Sequence, residues 1–497
     1  MKKIDLDSFI AAIIGFFVVY LFTHHSSIGV SPDSVVYTSV ARNIYYHHVL
    51  EAYNHMPLVD FPVFYPIFLS FTMFLSHLDP VVSGGVINGI LFGLLIYMCG
   101  HIMKQIMRSR MVKWALFCGL LISPALLDIY TMLWSETLFI VLTFVFFLLT
   151  AWYFKRPALF PLLCMAICAG LSCITRYAGV TLIGTGCLLI FFHPVYRMKK
   201  KLPHSIIFGL VSTSFLIANL VRNALITGTL TGNREKSLTS FWANMHLYGE
   251  VLCYWLPFLK GHETPATFLA FASLVLTIFV LVWRIRTNYN HDSYQNIAMV
   301  FGTVYILFIV LSASISRYEP INNRLLSPAY APWLLVVVYL TGRLSFKLMF
   351  VRKTFTIVLL SSLFLIFICS QAMESYAMYR EYNNWGIPGY TDDGWKTSPI
   401  VQYLQQHRNS FTPGQPVYSN AHEAAYFNTG IASESLPHVV DKEDVETFDS
   451  TGAHYLIWFE NVNDTDLVSQ EYIKARKQMQ PVFTTADGAV YWCTNKK

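Results

Sequence analysis

Charge is what this sequence has least of: Asp, Glu, Lys and Arg make up 13% of its 497 residues, against about 25% in a typical soluble domain. A soluble chain of this length has to show a large polar surface, so water is excluded as its only solvent. A glycine-rich phosphate loop and a dinucleotide fingerprint are both missing. So is any basic, aromatic-interleaved patch, which excludes nucleic acid as a partner. There are nine cysteines, but Cys99, Cys118, Cys164, Cys168, Cys173, Cys187 and Cys369 sit inside apolar runs. They read as small hydrophobes rather than as a disulfide framework. His24, His25, His47, His48 and His55 lack a zinc-ligand spacing, and no cofactor or metal is assigned.

Apolar residues fill the space that charge leaves. The chain is 55% hydrophobic and 16% aromatic, with a mean hydropathy of +0.46. Crossing about 30 Å of hydrocarbon takes about 20 mostly apolar residues. Eleven segments qualify: 8–25, 82–103, 112–128, 134–154, 158–175, 178–194, 203–222, 265–285, 295–314, 326–345 and 353–371. The first does not read as a cleavable signal, since no small-residue cleavage site follows it. Lys and Arg alternate between the connecting loops, eighteen in one set and eight in the other. The rich set includes Lys2, Lys3, Lys104, Arg108, Arg197, Lys199 to Lys201, Arg284 and Arg352. The poor set includes Arg234 and Lys260. By the positive-inside rule the N-terminus is cytoplasmic, and eleven crossings put the C-terminus outside.

The expected architecture is therefore an α-helical polytopic membrane domain over 1–371 and a small α/β extracytoplasmic domain over 372–497. The external loop 26–81 holds an amphipathic helix, Ser34 to His48, and a surface-lying apolar stretch from Phe61 to Leu78. The tail alternates short β-like runs (Pro416 to Ser419, His454 to Phe459, Gln480 to Thr484, Ala489 to Cys493) with polar helical stretches. Its aromatic segment from Asn384 to Trp395 either lines an acceptor path or packs on lipid headgroups.

Ionisable residues at membrane depth cost about 2.5–3.5 kcal/mol on insertion scales, which makes them functional candidates. Asp33, Arg42, Glu136, Arg176 and Arg324 gather at the external helix ends. A carboxylate beside arginines suits transfer of a sugar from a lipid phosphate. The carboxylate takes the acceptor's proton, and guanidinium forks hold the departing phosphate. Asp33 is either that base or a helix N-cap, two compatible roles. Arg42 reads as a solvated or snorkelling side chain, and Glu136 as a charge at a helix N-terminus. Arg176 and Arg324 either clamp phosphate or touch lipid headgroups.

The segment Ser31-Pro-Asp-Ser-Val-Val-Tyr-Thr-Ser-Val-Ala-Arg-Asn resembles the first-loop signature of the GT-C-fold glycosyltransferases. That superfamily includes the protein O-mannosyltransferases, the aminoarabinose transferases of lipid A and many bacterial relatives. Asp33, Tyr37, Ala41 and Arg42 match the acidic residue, tyrosine and Ala-Arg pair of its juxtamembrane helix. Phe61-Pro-Val-Phe-Tyr-Pro, Trp134-Ser-Glu136, Thr175-Arg176-Tyr-Ala-Gly and Asn323-Arg324-Leu-Leu-Ser-Pro resemble further landmarks. The resemblance implies a polyprenyl-phosphate-sugar donor used on the external face with inversion, Asp33 as the catalytic carboxylate, and a glycan, lipid or protein acceptor. Tyr37, Arg42, Glu136, Arg176 and Arg324 would then bind substrate. Ser34 follows Asp33 where better-known branches carry a second acid, so no metal dependence transfers. The alternative is a lipid or solute transporter or flippase of the envelope. Against it, the segments show no internal repeat and few midplane charges.

Overall fold

The computed structural model describes residues 5–232, 235–259, 265–286, 293–317, 319–348, 353–412 and 414–496. Lys2, Lys3, Arg234, Lys260 and Arg352, counted above for orientation, lie outside the described residues.

The helices begin with α1 (Leu6–Phe22), α2 (Pro32–His47), α3 (Phe64–Ser76), α4 (Pro80–Ile106), α5 (Arg110–Leu121) and α6 (Pro124–Tyr130). Next come α7 (Glu136–Lys155), α8 (Leu159–Thr175), α9 (Val180–Phe191), α10 (Met198–Thr227) and α11 (Phe241–Trp255). The membrane part ends with α12 (Ala266–Arg286), α13 (Tyr294–Ala313), α14 (Asn323–Leu348) and α15 (Lys353–Trp385). Among the described residues, α4, α7, α10, α12, α13, α14 and α15 are long and apolar enough to cross a membrane. The α5–α6 pair adds an eighth candidate span, bent by 54°, where Ser123 caps the new helix and Pro124 opens it. The other three expected segments fall on the shorter apolar helices α1, α8 and α9. The protein is a multi-pass membrane protein. The sequence reading did not anticipate α11, and α15 runs past residue 372, where that reading divides the chain.

The chain forms two compact units. The first comprises Met1–His24, Leu58–Phe68 and Ser83–Glu381; the second comprises His25–Pro57, Leu69–Val82 and Tyr382–Lys497. In the first, most of α7 is buried, from Glu136 at its start to Phe154 near its end, with Trp152 exposed. By contrast α12 exposes Phe268, Val275, Leu276 and Phe279, as a lipid-facing helix does. Arg284, counted above as a loop charge, is instead buried, its Nε donating to Asn296 Oδ1 at 2.6 Å.

In the second unit, α16 (Asp393–Thr397), α17 (Pro399–Gln406), α18 (His422–Thr429), α19 (Lys442–Ser450) and α20 (Gln470–Arg476) accompany one five-stranded sheet. Its strands are β1 (Val417–Ser419), β2 (Glu434–Ser435), β3 (His454–Phe459), β4 (Lys477–Thr485) and β5 (Gly488–Asn495), in the order β2-β1-β3-β5-β4. β1 pairs in parallel with β2 and β3, while β3–β5 and β4–β5 are antiparallel. Alternation along β3 sends Ile457 and Phe459 to a core with Ile400, Leu404 and Ala424, and Leu456 to one with Leu436, Phe448 and Ile473. The small α/β domain expected of the tail is there, with the two-residue β2 as its unanticipated strand.

Candidate active site

The candidate residues fall into two sets, one in each unit. In the first unit Glu136, Arg176 and Arg324 come together although three different helix ends carry them. Glu136 is the first residue of α7 and is completely buried. Its Oε1 takes both guanidiniums, from Arg176 Nη1 at 2.5 Å and Arg324 Nε at 2.7 Å. Ser135 braces the group: its hydroxyl donates to Glu136 Oε2 at 3.4 Å and accepts from Arg176 Nη1 at 3.1 Å. Arg324 also lies over the Trp134 ring, 4.3 Å from its centroid, and its Nη1 reaches Glu319 at 3.6 Å. Glu136 is thus more than a helix-terminal charge. A buried carboxylate needs partners to be tolerated, and here it has two.

Local sequence places both arginines. Arg176 follows the last residue of α8 in extended conformation, and a single 3₁₀ turn, Tyr177–Gly179, leads into α9. Gly179 folds back so closely that a Cβ there would strike the Ser172 carbonyl and the Cys173 amide. Arg324 sits in the first turn of α14, four residues before Pro328. Proline has no N–H to offer the Arg324 carbonyl, and the Ser327 hydroxyl donates to it instead, at 2.9 Å. Asn323 fixes the helix start. Its Nδ2 donates to Asp128 Oδ2 at 2.9 Å and to the Ala125 carbonyl at 3.0 Å, while its Oδ1 accepts from Trp255 Nε1 at 3.0 Å.

In the second unit α2 carries Asp33, Tyr37 and Arg42. Asp33 is not the N-cap. That position belongs to Ser31, which forms a capping box with Ser34 around Pro32, and Pro32 has the fixed φ a first helical turn needs. Asp33 stands one residue further on, in the first turn, where the helix dipole favours its negative charge. Tyr37 is buried. Arg42, expected to be solvated, instead forks onto Asp79: Nε to Oδ2 at 2.6 Å and Nη2 to Oδ1 at 3.0 Å. Burial works to raise the Asp79 carboxyl, but the Arg42 pair and the Val81 amide outweigh it and hold it below the usual range.

Sequence reasoning missed the residues of the second unit that face α2. α18 packs against α2 and brings Glu423, whose carboxyl burial pushes up to about 7, helped by the charges of Asp33 and Asp464 against the opposing pull of a backbone amide. Tyr426 stacks on Tyr53 with ring centroids 4.2 Å apart. Tyr390 donates its backbone N–H to the Val30 carbonyl at 2.8 Å. Its neighbour Gly389, at φ +135°, makes an approach that a Cβ would block against the same carbonyl. The Pro388-Gly389-Tyr390 turn was the one available signal. Among the described residues no three His, Cys, Asp or Glu side chains converge as metal ligands.

No protein-family model and no curated protein matches the sequence. Solved structures do match it in fold. ArnT from Cupriavidus metallidurans in the apo state superposes with a TM-score of 0.59 over 97% of each chain, at 13% identity. The same protein bound to undecaprenyl phosphate gives 0.59 over 97% of each chain, at 11% identity. The archaeal oligosaccharyltransferase AglB from Archaeoglobus fulgidus, in complex with an inhibitory peptide and a dolichol-phosphate, gives 0.58. That match covers 91% of this chain and 69% of that one, at 10% identity. Identities this low speak for architecture alone. The chain has the GT-C fold of these membrane proteins.

Proposed function

We propose that the protein is a membrane glycosyltransferase that moves a sugar from a polyprenyl-phosphate donor to a hydroxyl acceptor, with inversion at the anomeric carbon. The observation that carries this reading is the extent of the fold match. A protein whose structure holds undecaprenyl phosphate is similar to this one over 97% of both chains. The positive-inside count supports chemistry on the external face of the cell membrane, with the N-terminus cytoplasmic and the C-terminal tail outside. The acceptor is a glycan, lipid or protein hydroxyl.

In this reaction the acceptor oxygen forms a bond to the anomeric carbon as the bond from that carbon to the phosphate oxygen breaks. Asp33 takes the acceptor's proton, and polyprenyl phosphate leaves with the electron pair. Arg176 and Arg324 bind the phosphate oxygens. Glu136 supports this reading as a holder of both guanidiniums: two cations share one carboxylate oxygen, so their planes are set before a donor arrives. Preorganised charge of this kind costs no rearrangement during the reaction.

The test is release of polyprenyl phosphate from a panel of polyprenyl-phosphate sugars, using purified protein in nanodiscs and cell-envelope extract as acceptor. Wild type should release it, and Asp33→Asn should lower the rate by at least about 10²-fold, the usual worth of a positioned base. Equal release by both removes Asp33 as the base. A folded protein that releases nothing from any donor yet moves lipid across vesicles is a flippase.

A further inference from the structure

Six cations of the first unit gather where no acid answers them. Lys155 and Arg156 stand at the end of α7, and Arg197, Lys199, Lys200 and Lys201 at the start of α10. From Thr137 to Gly232 the sequence holds no Asp or Glu, and among the described residues no carboxylate pairs with any of the six. The cations of α4 and α5 differ: Lys104 and Lys113 bond Asp5, and Arg110 bonds Asp7. The patch is also built, not a loose tail. Tyr196, next to Arg197, donates its hydroxyl at 3.3 Å to the Phe154 carbonyl, one of those a helix end leaves without an intrahelical partner. Its ring stacks on His193 with centroids 3.9 Å apart, and His193 lies 4.9 Å from the Phe154 ring. A 2.7 Å hydrogen bond between Tyr153 and His204 ties α7 to α10 again. Lys200 Nζ rests 5.3 Å from the centroid of Tyr196. Phe160, Phe192, Val195 and Met198 are exposed among these charges.

We infer that this end of the first unit is a binding surface for anionic phospholipid, with headgroup phosphates on the cations and acyl chains against the exposed apolar side chains. Charge complementarity asks for anions. Arg197 caps α10 and the three lysines fill its first turn, where cations oppose the helix dipole and a phosphate is favoured. The apolar side chains select a lipid over a soluble anion. α10 is long and apolar enough to cross a membrane, so its charged first turn falls where hydrocarbon gives way to headgroups. A negatively charged leaflet attracts juxtamembrane Lys and Arg, and the Tyr196 bonds hold the α7 and α10 cations together as one surface.

The test needs no turnover. Full-length protein is reconstituted in vesicles of equal parts phosphatidylcholine and phosphatidylglycerol and extracted gently, and the lipids it retains are counted by native mass spectrometry. Wild type should retain phosphatidylglycerol over phosphatidylcholine by about fivefold or more, the worth of one cation near an anionic surface. Replacing Arg197, Lys199, Lys200 and Lys201 together by Gln should bring the ratio close to parity. Arg197→Gln alone should lower it part of the way, which keeps the test open if the fourfold variant does not fold. Lys104→Gln should leave the ratio unchanged, because Asp5 already answers that charge and keeps Lys113 when Lys104 is gone. Equal retention of both lipids by wild type overturns the inference, as does a fourfold variant that still prefers phosphatidylglycerol as strongly. A Lys104→Gln loss as large as that of Arg197→Gln reduces the effect to net charge and removes the surface. Displacement of the lipid by soluble glycerophosphoglycerol on the order of 1 mM, an affinity the headgroup would need alone, makes this a free-anion site and overturns the lipid reading.

Discussion

Replacing Glu136 by Gln removes one negative charge from a completely buried position and changes almost nothing in volume. Both guanidiniums then lose their shared anchor. Their nitrogens bond the same Oε1 at 2.5 and 2.7 Å, so they lie no further apart than those two distances laid end to end. Unit charges about 4 Å apart interact by about 4 kcal/mol at an effective dielectric of 20. The variant therefore loses two attractions of that order and keeps the repulsion between the arginines. Rotation toward water recovers part of the loss, and breaking a buried pair typically costs about 3–5 kcal/mol. At about 2 °C per kcal/mol for larger domains, the melting temperature should fall by about 6–10 °C. A thiol-reactive dye reads this directly, because Cys99, Cys168, Cys173 and Cys253 are buried until the helices separate. Arg176→Gln should cost less in the Glu136→Gln background than alone, since the two residues share one network. Refutation is simple. If Glu136→Gln melts within about 1 °C of wild type and the two substitutions add, Glu136 does not hold the arginines.

Two further outcomes follow from the geometry. Gly179→Ala should lower stability by about 1–3 kcal/mol, the usual cost of overpacking, and should slow lipid-phosphate release by displacing the turn that carries Arg176. Gly184→Ala is its control, because a Cβ there meets only Val304 Cγ1 at an ordinary 3.6 Å. The Glu423 carboxyl gives a pH dependence with a definite sign. Folding raises it from an ordinary 4.5 to about 7, so the folded state binds more protons between those values and stability falls as pH rises through that window. The loss is on the order of 3 kcal/mol at most. Melting curves at pH 5 and pH 8 should differ in wild type and converge in Glu423→Gln.

The membrane part was largely legible because lipid leaves a chain few choices. Long apolar runs, loop charges and costly ions at helix ends all follow from one solvent constraint, and every one of the eleven expected segments lies on an apolar helix. Apolar runs do not reveal how a segment is divided: the α5–α6 bend and the short α11 depend on Ser-Pro and polar residues that a hydropathy window averages away. Partners were legible only in kind. Glu136, Arg176 and Arg324 stood out as costly charges, yet nothing in their spacing says that both arginines choose the same carboxylate oxygen. Arg42 was misread for the same reason, since its partner Asp79 looks like any loop acid until α2 and the start of α4 are folded.

Glu423 marks the limit more sharply. In the tail acids are common and cheap, and one more of them, beside a histidine at the start of a short helix, carries no signal of its own. In the folded second unit the same residue is mostly buried, and burial raises its hold on a proton. What changes its meaning is the packing of α18 on α2, a contact between segments at opposite ends of the chain. It depends on Gly389 having no side chain where the chain passes Val30, and on Tyr426 finding the face of Tyr53. An Ala at 389 would have to push the turn off Val30. Gly389→Ala should therefore disturb the Glu423 titration while leaving the Glu136 cluster, in the other unit, untouched.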